Sequence, residues 1–235
     1  MTRRIEALEA SWPAAATHVA GGWRVRDGQG GGKRVSAATA AEEDRALTTL
    51  DVAEAAQARL GQAEVFFLTP DQQALDAALA ARGYRLNDAL LWYEAPLARL
   101  TEAAPERLST FPIWPPLAIM TEIWEAGQIG PARLAVMERA RGPKTSLLGR
   151  TGDRAVGAAF VALAGDLAMV HALHVEPAQR RQGQARNLMR AAAHWAAAEG
   201  AARLALVVRA DNQPACALYD SLGMAASAYG HYRVK

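Results

Sequence analysis

The apolar positions of the second half of the chain fall into two recurring patterns. Residues 145–148, 155–163 and 167–175 are apolar runs that predict three successive antiparallel strands, with Gly165-Asp166 as a tight turn between the last two. Ala185, Leu188, Met189, Ala192, Ala193 and Ala196 recur at three- and four-residue spacing, which predicts a helix with a single apolar stripe. Arg186, Arg190 and His194 fall off that stripe, and Gly200 stands where such a helix would be capped. Residues 203–208 then predict a short buried strand. Upstream, 117–141 predicts two helices broken near 127–131. Pro96, Pro105, Pro112, Pro115 and Pro116 mark a linker that merges into the first strand of the second half.

The first half repeats part of this order. Residues 65–84 and 206–224 each give a hydrophobic strand, a polar turn, an alanine-rich helix and a glycine stop. Each then returns in a strand, at 90–94 and at 229–234. Aligning the glycines sets Leu79 opposite Tyr219 and Gln72 opposite Asn212. Two related halves are therefore expected, 1–105 and 106–235, in an α/β (α+β) fold. The first half lacks any counterpart of Arg180-x-x-Gly183-x-Ala185. Its glycine run Gly28–Lys33 fails as a P-loop, because Asp27 and Arg34 stand where glycine and Ser or Thr are needed. Segments 23–26 and 33–37 are expected to be strands joined by that run.

Charge and composition narrow the setting. The halves carry −3 and +5, and the modestly basic second half suits a ligand bearing phosphates. The positive charge is too weak and scattered for nucleic acid. No unbroken apolar run reaches membrane-spanning length and no signal-peptide core opens the chain, so a cytoplasmic protein without a membrane partner is expected. Cys216 is the only cysteine, which excludes an intramolecular disulfide, and it reads as a small core residue. Histidines and carboxylates show no ligand spacing, so no metal is expected.

The stretch Val175-Glu176-Pro177-Ala178-Gln179-Arg180-Arg181-Gln182-Gly183-Gln184-Ala185 joins a predicted strand to a predicted helix. The first N–H groups of a helix have no intrahelical partner and carry partial positive charge, so this turn is suited to a pyrophosphate. Gly183 and Ala185 allow close approach to the main chain, and Arg180 and Arg181 add charge. The pattern V-x-P-x-x-R-R-x-G-x-A resembles the acyl-CoA-binding segment of the GNAT N-acetyltransferase superfamily. Residues 206–224, with Asn212, Ala215, Leu218-Tyr219 and Gly223-Met224, resemble that superfamily's second signature. The resemblance covers about residues 110–235 by motif, and the first half only by shape, as a degenerate unit of the same type.

This resemblance implies a mixed, mostly antiparallel sheet flanked by helices, and transfer of an acetyl group from acetyl-CoA to a primary amine. It implies contacts to the donor from Gln182, Gly183, Gln184 and Ala185 with Arg180 and Arg181. The main chain of Leu173, His174 and Val175 would pair with the pantetheine like an added strand. Asn212 would contact the pantetheine arm or cap the next helix, and Tyr219 would protonate the departing thiolate. Many members carry a glutamate where this chain has Met169. His171, two residues on and so on the same face, is then a candidate base, with Glu122 and Glu125 as further acceptor-side carboxylates. By simple alternation His174 would face the other way. The second signature is similar to that of ribosomal-protein N-terminal acetyltransferases, and small-molecule amines stay equally open. Two other classes also stay open: an inactive acyl-CoA sensor, and a scaffold or homodimerisation partner.

Overall fold

The computed structural model describes residues 2–235. The chain runs α1 (Thr2–Ser11), β1 (Ala16–Ala20), β2 (Trp23–Asp27), α2 (Lys33–Ser36), β3 (Thr39–Ala40), α3 (Glu43–Thr48), α4 (Leu50–Arg59), β4 (Val65–Leu68), α5 (Gln73–Ala81), β5 (Arg85–Pro96) and α6 (Leu97–Leu100). It continues through β6 (Thr110–Ile113), α7 (Ala118–Ala126), α8 (Pro131–Arg139), β7 (Lys144–Thr151), β8 (Arg154–Ala164), β9 (Leu167–Val175), α9 (Gln184–Ala198), β10 (Arg203–Arg209), α10 (Gln213–Ser221) and β11 (Ala225–Val234). The fold is mixed α/β, with a mostly antiparallel sheet flanked by helices. Its contacts group into two units. One holds the residues up to Pro13 with Tyr93–Val207 and Pro214–Ala226, and the other holds Ala14–Trp92, Val208–Gln213 and Ser227–Lys235.

In the first of these units the strands lie in the order β10-β9-β8-β7-β6. Only the β9–β10 pair is parallel, running from Leu167↔Arg203 to Val170↔Leu206. The connection between them is α9, as a parallel pair requires a crossover. Alternation along β8 gives the two faces. A Cβ at Gly157 would lie 3.3 Å from Leu188 Cδ1 of α9. Phe160, three residues on and so on the opposite face, packs on Trp12 at 6.1 Å and Trp114 at 5.7 Å.

The β8–β9 ladder contains the feature that shapes the site. Phe160 pairs with His171, but the next matched pair is Ala158 with His174, so between them Ala159 of β8 faces both Ala172 and Leu173 of β9. The extra residue is a bulge, and Ala172 takes a left-handed φ of 51°. Trp124 of α7 donates from Nε1 to the Ala172 carbonyl at 2.8 Å. This corrects the alternation argument. Because Phe160 and Ala158 share a face, their partners His171 and His174 do too.

The second unit has its own core of Trp23, Phe66, Leu75, Leu79 and Tyr84 with smaller residues around them. Here the expected strand at 33–37 is not formed. Lys33–Ser36 is a helical turn, and β2 pairs instead with β1 through Gly21 and Gly22. Both glycines have positive φ, 58° and 79°, which a two-residue hairpin turn needs.

The helices of the two compared segments end in like hydrogen bonds. Gly83 N–H reaches the Ala80 carbonyl at 3.0 Å, and Gly223 N–H reaches that of Asp220 at 2.8 Å. Tyr84 N–H binds the Leu79 carbonyl and Met224 N–H that of Tyr219, both at 3.1 Å. The ends of α4 and α9 also match, Gly61 on Ala58 and Gly200 on Ala197.

Candidate functional site

The strand β9 and the helix α9 are joined by a short 3-10 turn, Pro177–Gln179, and then by Arg180 to Gly183. Gly183 is the N-cap of α9 with a left-handed φ of 84°, and no atom lies within 4 Å of where its Cβ would be. Its glycine is therefore demanded by backbone conformation, and the space above it is open. Arg181 also has positive φ, 65°. The first intrahelical bond runs from Asn187 N–H to the Gly183 carbonyl at 3.0 Å. The amides before it, from Gly183 to Arg186, form the electropositive end of a helix of 15 residues.

The expected donor contacts divide by what the side chains do. Arg180 donates from Nε to the Val175 carbonyl at 3.1 Å, which fixes the end of β9 and holds the guanidinium at the turn. Arg181, Gln182 and Gly183 are exposed. Gln184 turns inward: its side chain is buried, and Nε2 donates to the Ser109 carbonyl at 3.1 Å. A Cβ at Gly149 would come within 2.6 Å of that Nε2, so β7 carries glycine there to admit it. Only the main chain of Gln184 is left for a ligand. Ala185 is partly buried at the start of the stripe.

Along β9 the ladder with β10 ends at Val170. The peptide groups of Leu173, His174 and Val175 on that edge lie beyond it, just before the turn. The two histidines have different surroundings on their shared face. His171 is 3% exposed, is stacked on Trp12 at 5.0 Å, and has its Nε2 2.9 Å from Ser11 Oγ. Ser11 donates to the Ala7 carbonyl at 2.7 Å, so it accepts from His171 Nε2–H. That geometry ties α1 to the sheet. His174 instead lies flat against the turn after α7, where a Cβ at Gly127 would stand 2.5 Å from its Nδ1. Burial, and then the charge of Arg180, hold its pKa below the usual histidine value, while Glu176 opposes them.

Tyr219 of α10 is buried, and its ring packs on Tyr93 at 5.2 Å. Burial, and then Cys216, raise its pKa, so the phenol keeps its proton. The Tyr93 hydroxyl donates to Asp220 at 3.0 Å. Cys216 is buried. Glu122 and Glu125 lie on the exposed side of α7, whose Met120, Ile123 and Trp124 face inward. Asn212 belongs to the other unit, in the turn before α10, where its N–H meets the Arg209 carbonyl at 3.1 Å. A cleft of about 280 Å³ opens beside the first turns of α9, lined by Arg99, Arg186, Arg190, Glu102 and Asp220 among others. Among the described residues no three His, Cys, Asp or Glu side chains gather as a metal ion requires, and no helix is long and apolar enough to cross a membrane.

Trp124, Gly127 and the Gly149–Gln184 contact were not legible beforehand. The signals were present as a tryptophan and two glycines inside or next to apolar runs, but each acquires meaning only from a partner distant in the chain.

Comparison with known proteins agrees with this fold. Residues 113–224 match the family described as Acetyltransferase (GNAT) family. This part of the chain is thus similar to GNAT-family acetyltransferase domains, and solved structures similar to the whole chain share its fold. A GCN5-related N-acetyltransferase from Kribbella flavida superposes with a TM-score of 0.72 at 18% identity, covering 100% of this chain and 95% of that one. A functionally unknown conserved protein from Staphylococcus epidermidis gives 0.68 at 11% identity, covering 93% and 92%. A tandem GNAT protein from the clavulanic acid biosynthesis pathway gives 0.61 at 13% identity, covering 85% and 74%. No curated protein matches the chain in sequence.

Proposed function

We propose that this protein binds acetyl-CoA through residues 173–186 and transfers the acetyl group to a primary amine by direct attack in a ternary complex. The observation that carries the reading is the junction of β9 and α9. A strand edge beyond its ladder leads directly into a helix whose N-cap is an open, left-handed glycine. The amides from Gly183 to Arg186 would take the pyrophosphate, with Arg180 and Arg181 adding charge. The net cationic cleft beside α9 favours a polyanionic donor. The main chain of Leu173 to Val175 would pair with the pantetheine amides, and one N–H there would stabilise the tetrahedral oxyanion. Tyr219, held protonated by burial, would supply the proton to the thiolate sulfur. The role of Asn212 toward the donor rests on the resemblance alone.

The N-terminal half is proposed to be a degenerate copy without a donor site. Where the second copy has its phosphate turn, the first has α3. Thr49 is the N-cap residue of α4, but its hydroxyl turns back to donate to the Arg45 carbonyl at 2.7 Å. Asp51 then places a carboxylate in the first turn, which disfavours an anion. A cytoplasmic location is part of the same proposal. The test is thiol release from acetyl-CoA across a panel of small amines and peptides with free α-amines. Turnover of any member supports the transferase. Donor binding with no turnover across the panel would point to an acyl-CoA-binding module instead.

A further inference from the structure

We infer that His174 is the group that takes the proton from the acceptor amine, an inference that rests on the acetyl transfer proposed above. Its Nε2 is buried and has no hydrogen-bond partner among the described residues. A nitrogen sealed from water without a partner costs stability unless one arrives with the substrates. The ring also has a place made for it. Gly127 has φ −89°, a conformation open to any residue, yet a Cβ there would stand 2.5 Å from Nδ1 and 2.6 Å from Cε1. The glycine therefore serves the imidazole and not the backbone. The bulge at Ala172, pinned by Trp124, turns His174 onto the α7 side of the sheet at the strand end where the thioester would lie. His171 shares that face, but its Nε2 proton is already committed to Ser11.

The charges around His174 favour the neutral ring that a base requires. Arg180 opposes its protonation and Glu176 favours it. On β8, Arg154 pairs with Glu176 at 3.3 Å. On α7, Glu125 is exposed, and on α8, Arg133 donates to the Gln128 carbonyl at 3.1 Å. In the reaction the incoming ammonium gives one proton to Nε2, and the ring releases it to solvent once the products have left and the site is open. The free amine then forms the C–N bond, and the C–S bond breaks. The nitrogen loses its second proton as the thiolate sulfur gains one, so one proton is released per turnover.

The test compares wild type with His174→Gln, which keeps the size and polarity of the side chain but cannot accept the proton. Calorimetry with acetyl-CoA first establishes that both bind the donor and that the variant is folded. Thiol release is then followed against pH with small primary amines, and with water as the acceptor if no amine is used. Wild type should lose rate on the acid side, at a pH below the ordinary histidine value, because burial and Arg180 disfavour the charged ring. His174→Gln should lack that acid limb and be about a hundredfold slower, with KM for acetyl-CoA unchanged. A variant that binds the donor, keeps the acid limb and runs within about threefold of wild type would overturn this role alone. Absence of donor binding in wild type would overturn the proposed function itself, and this inference with it.

Discussion

Gly183 offers the sharpest separation of structure from ligand binding, because its two roles respond to different substitutions. With φ at 84° and nothing within 4 Å of a Cβ, alanine there meets no clash and pays only for the left-handed conformation. That cost is about 1–2 kcal/mol. In a chain of this length each kcal/mol lowers the melting temperature by roughly 2–4 °C, so Gly183→Ala should melt about 2–8 °C lower. Asparagine tolerates the left-handed region and is itself a favoured N-cap, so Gly183→Asn should melt close to wild type. Both variants nevertheless place a side chain where phosphate oxygens must approach the amides. Loss of one charge-assisted hydrogen bond is worth about 1.5–3 kcal/mol. Affinity for CoA should therefore fall about ten- to hundredfold in both. Thermal unfolding and calorimetric titration of the same samples separate the two effects. Wild-type affinity in Gly183→Asn would refute the placement of the phosphates.

Gly127→Ala should push the His174 ring aside by about an ångström, cost about 1–3 kcal/mol, and shift the His174 imidazole resonances in a nitrogen-15 spectrum; unshifted resonances would show that the glycine does not serve the ring. His171→Ala should lower stability by about 2–4 kcal/mol through lost packing and the lost hydrogen bond to Ser11, read as a lower melting temperature, while the acid limb of the pH–rate profile is retained. Tyr219→Phe should bind acetyl-CoA as wild type does but slow turnover about a hundredfold, because only the proton is removed. Asp76 is held by Arg233 through two bonds of 2.7 Å, with His231 alongside, and its pKa falls to about 2. A depressed carboxylate pKa gives stability that is present above the unfolded value near 4 and is lost as pH falls toward 2. Asp76→Asn should therefore cost about 1–2 kcal/mol at neutral pH, and this difference from wild type should shrink steadily as the pH of unfolding is lowered from about 4 through 2.

The strands and helices of the second half were legible because their apolar spacing is set locally. The stripe from Ala185 to Ala196 is buried along α9 as its period requires, and Gly165-Asp166 closes the β8–β9 hairpin. The turn at Gly183 was legible for the same reason, since a left-handed N-cap restricts the residue type at one position. What could not be read depends on pairing between distant segments. A bulge at Ala172 leaves no mark on composition, yet it decides which face His174 takes. The inward turn of Gln184 depends on a glycine in β7. The hairpin of β1 and β2 was hidden because Gly28 to Lys33 offered a second glycine turn nearby, and Lys33–Ser36 folded as a helix instead.

The central claim is that one half of this chain holds an acyl-CoA at the β9–α9 turn. Calorimetric titration of the full chain with acetyl-CoA, repeated with Gly183→Asn, tests it most directly. One site per chain in wild type, weakened in the variant, is the predicted result. No saturable binding would contradict the donor site, and two sites per chain would contradict the reading of the first half as degenerate.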